Sequence, residues 1–267
     1  MASKNKEMAM IEHLEELRWV LIISIAATFI MAIACWVIND QVLQILLEPV
    51  FTSGNEVVYI SILEALMTKI KVSFFLGFLT ALPVILWQFW RFIIPALRKM
   101  EKIYFTIFVI ISYIFFVSGV LFGFYAVFRV AVKYLLHFGG AELIPMLTIG
   151  NYISFAITFL LPFGFIFELP LGVYFLAKLD LLSCKFLVRK RKMALLLSVV
   201  TGAVLVPSPD IITPLMMAAP MYFLYELSVG IVRFVEWGKR RKAGKQKGWE
   251  WLNIALHGIL SRRKKTG

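Results

Sequence analysis

Acidic side chains in unexpected places are the chemistry-bearing residues of this 267-residue chain. Two lie inside long apolar stretches: Glu168 in the run from Tyr152 to Leu176, and Glu226 in the run from Ile211 to Val232. A charged carboxylate facing lipid near mid-bilayer costs at least about 3 kcal/mol. Glu168 stands eight residues before Leu176, which is about 12 Å of depth at the helical rise per residue. It is therefore either neutral and hydrogen-bonded to a neighbouring helix, or turned to a polar cavity where it meets a partner or substrate group. Pro162 and Pro170 free backbone carbonyls near that depth and favour the cavity. Glu226, seven residues before Arg233 and on the same helix face, reads as a structural polar contact. A further group of carboxylates precedes the first apolar stretch, in Glu12 and His13-Leu14-Glu15-Glu16-Leu17-Arg18. On a helix Glu12 and Glu16 stack at i, i+4. Such a face either caps and solvates a helix start or recognises a cationic ligand, because carboxylates pair bidentately with guanidinium groups. Glu101, in Arg98-Lys99-Met100-Glu101-Lys102, either forms a local ion pair or repeats that theme.

Other reactive constellations do not emerge. His13, His137 and His257 are scattered, without metal-ligand spacing. No nucleophile–base set or phosphate-binding loop speaks for an enzyme, and no cofactor is implied. Cys35 falls inside an apolar stretch and Cys184 in a connecting segment, so no disulfide is expected.

The elements that must position these residues are membrane spans. The chain is 61% hydrophobic with mean hydropathy +0.85, far above a soluble domain. Six apolar stretches predict an all-α membrane protein with six transmembrane helices. The first, Trp19 to Ile38, holds twenty uncharged residues, enough for a bilayer core of about 30 Å. It is too long for the core of a cleavable signal peptide. In the loop that follows, Gln41–Pro49 reads as a short helix, and Val57–Leu66 is apolar enough to lie on the outer membrane surface. The second span is expected near 72–90 with a kink at Pro83, the third over 103–128, and the fourth over 152–176. The fifth, 193–206, is only fourteen residues, about 21 Å of helix and short of a bilayer core. The turn Pro207-Ser208-Pro209-Asp210 makes it an antiparallel pair with the sixth, 211–232, which Pro214 and Pro220 are expected to break. Gly119 and Gly123 read as a helix-packing pair. In the tail, 248–260 has apolar residues at helical spacing between basic runs, fitting an interfacial helix or else a charged, disordered tail.

Cations orient the spans. Of 28 Lys and Arg, only Lys69, Lys71, Arg129 and Lys133 lie in the even-numbered connecting segments. The other twenty-four fall in the odd-numbered ones. This positive-inside sorting places both termini in the cytoplasm. It also accounts for the net charge of +12 without nucleic acid as a partner, and brings the basic tail against anionic membrane lipid at roughly 1 kcal/mol per cation. The expected organisation is a cytoplasmic segment 1–18, a transmembrane domain 19–235 and a basic cytoplasmic tail 236–267.

Several blocks together resemble one family. They are His13-Leu14-Glu15-Glu16-Leu17-Arg18, Glu64-Ala65 leading to Lys71-Val72-Ser73-Phe74, and Leu82-Pro83 followed by Gln88-Phe89-Trp90-Arg91-Phe92-Ile93-Ile94-Pro95-Ala96-Leu97 and Glu101. Phe163-Gly164, Phe167-Glu168-Leu169-Pro170, Pro209-Asp210, Ala219-Pro220-Met221 and Tyr225-Glu226 complete the set, in order over residues 12 to 235. The chain is thereby similar to the TatC family, the receptor subunit of the twin-arginine translocase. The resemblance implies a cup-shaped bundle in a bacterial inner membrane that binds twin-arginine signal peptides of folded cargo. It implies partners of the single-span TatA and TatB type, other copies of the chain, and transport driven by the proton motive force. It implies that Glu16 and Glu101 bind the arginine pair, that Arg18, Phe92 and Pro95 shape that site, and that Glu168 is an intramembrane polar group. The family's glutamine after the Pro-Asp turn is replaced here by Ile211-Ile212-Thr213-Pro214, so that polar partner contact falls to Thr213 or is absent. A secondary transporter for a small molecule is the competing reading of Glu168. It calls for an internal repeat that the sequence does not show.

Overall fold

The structure, a computed structural model, describes residues 2–93, 102–138, 146–205 and 211–263. They are almost wholly helical. Helix α1 (Ala2–Cys35) runs unbroken from the polar N-terminal segment through the first apolar stretch. A 3-10 turn at Trp36–Ile38 leads into α2 (Asn39–Phe51), which contains the short helix expected over 41–49. Asn39 fixes that corner: 2% exposed, it donates to the Lys69 carbonyl at 2.5 Å and to Ser73 Oγ at 2.7 Å. Gly54, at φ 75°, turns the chain out of α2 where an L side chain would be strained.

The segment expected to lie flat on the membrane is divided between two elements. Strand β1 (Val57–Val58) pairs in parallel with β2 (Leu147–Thr148), and α3 (Ile62–Ile93) has already begun at Ile62. Glu64 clasps the pair, accepting from the backbone N–H of Ile60 and of Gly150, each at 2.9 Å. A two-residue pairing leaves no periodicity to read in a sequence. Nor do charges stop α3: Lys69 pairs with Asp40 at 2.7 Å and Lys71 donates to Ser154 at 2.7 Å.

Helix α4 (Lys102–Phe122) continues through a wide π-helical turn, Gly123–Phe128, into α5 (Arg129–Phe138). The third apolar stretch is thus followed by further helix. Helix α6 (Ile149–Phe167) and α7 (Leu169–Lys178) are separated at Glu168, since Pro170 has no N–H to continue the ladder. Helix α8 (Cys184–Leu205) starts nine residues before Met193, because its Lys and Arg residues are good helix formers even though they close an apolar span. Helix α9 (Ile212–Arg263) is continuous, so the expected break at Pro214 and Pro220 does not occur. Pro214 lies in the first turn, where its missing N–H would be unpaired in any case. The turn over 207–210 lies outside the described residues.

By length and composition, five helical stretches among the described residues could cross a membrane: His13–Phe51, Ile62–Phe92, Phe105–Leu136, Ile149–Lys178 and Ile212–Lys239. The short fifth segment, now the later part of α8, is not one of them.

Contacts divide the chain into two compact units, Met1–Glu168 with Val199–Ala218, and Leu169–Ser198 with Ala219–Gly267. In the first, helices approach through glycines. A side chain at Gly77 would meet the Ala32 backbone nitrogen at 2.5 Å, and one at Gly202 the Pro214 carbonyl at 2.5 Å. Gly119 and Gly123 of the packing pair face Phe163 and Phe167, and Gly164 receives the ring of Phe116. Phe116, Phe159 and Phe163 are fully buried along this seam. Close backbone approach is what holds helices together where lipid removes the hydrophobic driving force between them. The second unit is centred on Ala177, Leu187, Val229 and Val232. Lys239 caps α7, donating to the carbonyls of Ala177 and Lys178 at 2.9 Å each and pairing with Asp180 at 2.6 Å.

Candidate functional site

The N-terminal carboxylates and the end of α3 meet in one cavity of about 360 Å³, lined by Glu15, Glu16, Trp19, Val20, Ile23, Arg91 and Phe92. Continuous helix through α1 puts Glu15 and Glu16 one turn above Trp19 and Val20. The cavity therefore has an acidic mouth over an apolar floor. His13 stacks on Phe92, with ring centroids 4.3 Å apart and planes 10° from parallel, and its Nδ1 lies 3.8 Å from Glu16 Oε2. Glu16 is half-buried, so a cation paired there is partly shielded from water. Such a surface can hold a guanidinium against carboxylates while an adjacent apolar side chain takes the floor.

Of the residues expected to shape this site, Glu16 and Phe92 are brought together. Arg18 is exposed and does not line the cavity. Glu101 and Pro95 lie outside the described residues. Arg91 lines the cavity, although its sequence position marked it only as a cytoplasmic cation.

Glu168 sits at the break between α6 and α7 and belongs to a hydrogen-bonded chain across three helical segments. The Ser112 hydroxyl donates to Glu168 Oε2 at 2.6 Å, and the Trp90 indole N–H donates to Ser112 Oγ at 2.9 Å. Ser112 is fully buried and Trp90 is 6% exposed, packed edge-to-face on Phe108 at 5.0 Å. Glu168 Oε1 is buried without a hydrogen-bond partner among the described residues. Nothing in the sequence pointed to Ser112, since a serine in an apolar helix ordinarily bonds back to its own helix.

The remaining two residues have different settings. Thr213 is fully buried in the first turn of α9 and is engaged there. Glu226, in the second unit, accepts from Arg191 at 2.7 Å and from the Tyr222 hydroxyl at 3.0 Å. Its cation here is Arg191, not the Arg233 that shares its helix face in the sequence. No group of three or more His, Cys, Asp or Glu able to hold a metal ion occurs among the described residues.

The fold and these sites define a multi-pass helical membrane protein with polar groups at one helix end and within a span. The family model for Sec-independent protein translocase protein (TatC) matches residues 12–220. The Sec-independent protein translocase protein TatC of Carboxydothermus hydrogenoformans is 46% identical over 233 residues, covering 87% of this chain and 96% of that protein. Its counterpart in Campylobacter jejuni is 39% identical over 228 residues, covering 84% and 93%. A crystal structure of the twin-arginine translocase receptor TatC superimposes with a TM-score of 0.75 at 37% identity, covering 84% of this chain and 99% of that one. The chain belongs to the TatC family. Its function is Sec-independent protein transport, and the family is one of translocases rather than of catalysts.

Proposed function

We propose that this chain is the receptor and core subunit of a twin-arginine translocase in a bacterial inner membrane, with six crossings and both termini cytoplasmic. The observation that carries this reading is the cavity that joins Glu15 and Glu16 to Phe92, residues of two of the blocks that resemble the family. Glu16 takes one guanidinium of the signal peptide's arginine pair and Glu101 the other. Phe92 and the apolar floor receive the neighbouring peptide side chains, and Pro95 and Arg18 flank the site. Glu168 supplies a polar group inside the membrane once the receptor has engaged its single-span partners, and Thr213 and Glu226 are further intramembrane polar groups. Further copies of the chain complete the assembly, and the proton motive force drives transport.

Binding of a fluorescent twin-arginine signal peptide to the purified full-length protein tests the receptor role, with the same peptide carrying paired lysines as the control. Saturable binding that the lysine pair weakens about tenfold or more is expected, because the bidentate fork is lost. Equal binding of both peptides would sink the reading.

A further inference from the structure

Glu168 is tied to its unit through one oxygen, Oε2, which accepts from Ser112. An indole N–H only donates, so Ser112 Oγ accepts from Trp90 at 2.9 Å. The single hydroxyl proton of Ser112 is then directed to Glu168 Oε2 at 2.6 Å. With Oε2 accepting from Ser112, a proton on Glu168, when present, sits on Oε1. Oε1 is the buried oxygen with no hydrogen-bond partner among the described residues. The donors are themselves buried: Ser112 is fully enclosed, and the 6%-exposed Trp90 packs edge-to-face on Phe108 at 5.0 Å.

We propose that Trp90 and Ser112 are positioning residues for Glu168: by holding Oε2 as a fixed acceptor, they make Oε1 the single atom through which this carboxyl exchanges a proton or a hydrogen-bond partner during export. The proposal rests on the reading of Glu168 as a functional group rather than a packing one. It separates two ways of losing Glu168, removal of the carboxyl and loss of its orientation. Ser112→Ala removes the donor to Oε2. Trp90→Phe keeps the ring but frees the hydroxyl to rotate. Ser112→Thr keeps the hydroxyl and restores the tie.

The test uses the full-length protein in lipid vesicles. The infrared carboxyl band of Glu168 is isolated as the wild-type spectrum minus that of Glu168→Gln, and export of a twin-arginine reporter is measured in cells at matched membrane levels. The Glu168 band is expected to shift in Ser112→Ala and in Trp90→Phe, and to return to its wild-type position in Ser112→Thr. Export is expected to fall about tenfold in Ser112→Ala, the order of a lost hydrogen bond to a charged group, and to recover in Ser112→Thr. A band that stays in place in both Ser112→Ala and Trp90→Phe overturns the proposal, as does an export defect that Thr does not relieve. Normal export by Glu168→Ala and Glu168→Gln instead removes the functional reading of Glu168, and the band position is independent of that result.

Discussion

At the scale of single residues, charge found in the wrong place was informative and charge found in the right place was not. Glu16 and Glu168 were legible because a carboxylate among cytoplasmic cations or inside an apolar run needs a reason. Arg91 was not, because an arginine at the end of a span already had one. Glu16 faces the cavity and Arg18 does not line it, so their substitutions part company. Glu16→Gln is expected to weaken signal-peptide binding about tenfold or more, and Arg18→Gln to change it less than twofold in the same titration. Equal losses from the two would show that the cavity is not the site. Glu226 makes a contrasting case. Its side chain and that of Arg191 are 31% and 40% exposed, and so open a pair at the expected cytoplasmic end of a span contributes little, about 1 kcal/mol at most. Arg191→Gln is expected to leave export and membrane level within about twofold of wild type, measured by immunoblot and reporter.

At the scale of elements, apolar runs located the helices but not their ends. Hydropathy bounds a span at the first charges, whereas a helix stops only where its backbone bonding fails. Helix α3 therefore begins ten residues before Val72, carrying Lys69 and Lys71 on partners within its own unit. The continuity of α9 through two prolines shows the same separation of signal and outcome. The glycine pair at 119 and 123 was legible as packing, but its facing residues were not, because the seam depends on phenylalanines far along the chain. A contrast between glycines follows. At Gly77 an added methyl would strike the Ala32 backbone, while Gly230 has nothing within 4 Å. Gly77→Ala is expected to lower the thermal stability of the detergent-purified protein by about 1–3 kcal/mol through overpacking. Gly230→Ala is expected to leave it unchanged or raise it by up to about 1 kcal/mol through helix propensity. Melting curves that reverse this order would contradict the α1–α3 packing.

At the scale of the whole molecule, cation sorting was the clearest signal in the sequence, and the structure accounts for its exceptions. Lys69 is paired with Asp40, Arg129 with Glu48 at 2.5 Å, Lys71 is bonded to Ser154, and Lys133 is also engaged. Each cation on the expected outer side is thus held by a partner. Reporter fusions test the orientation directly: alkaline phosphatase inserted at Gly54 should be active, and the same enzyme fused after Lys265 should be inactive. An inactive fusion at Gly54 would rule out the six-crossing arrangement with cytoplasmic termini.

The seam of glycines against phenylalanines also constrains how this protein can change over evolutionary time. A larger residue at Gly164 is admissible only if Phe116 shrinks, and one at Gly123 only if Phe163 does. Single steps in either direction pass through a clash or a void, so these positions are open to paired replacement and nearly closed to solitary drift. Among relatives the pairs 116 with 164 and 123 with 163 should therefore exchange bulk reciprocally. The seam would then be inherited as a total volume rather than as particular residues.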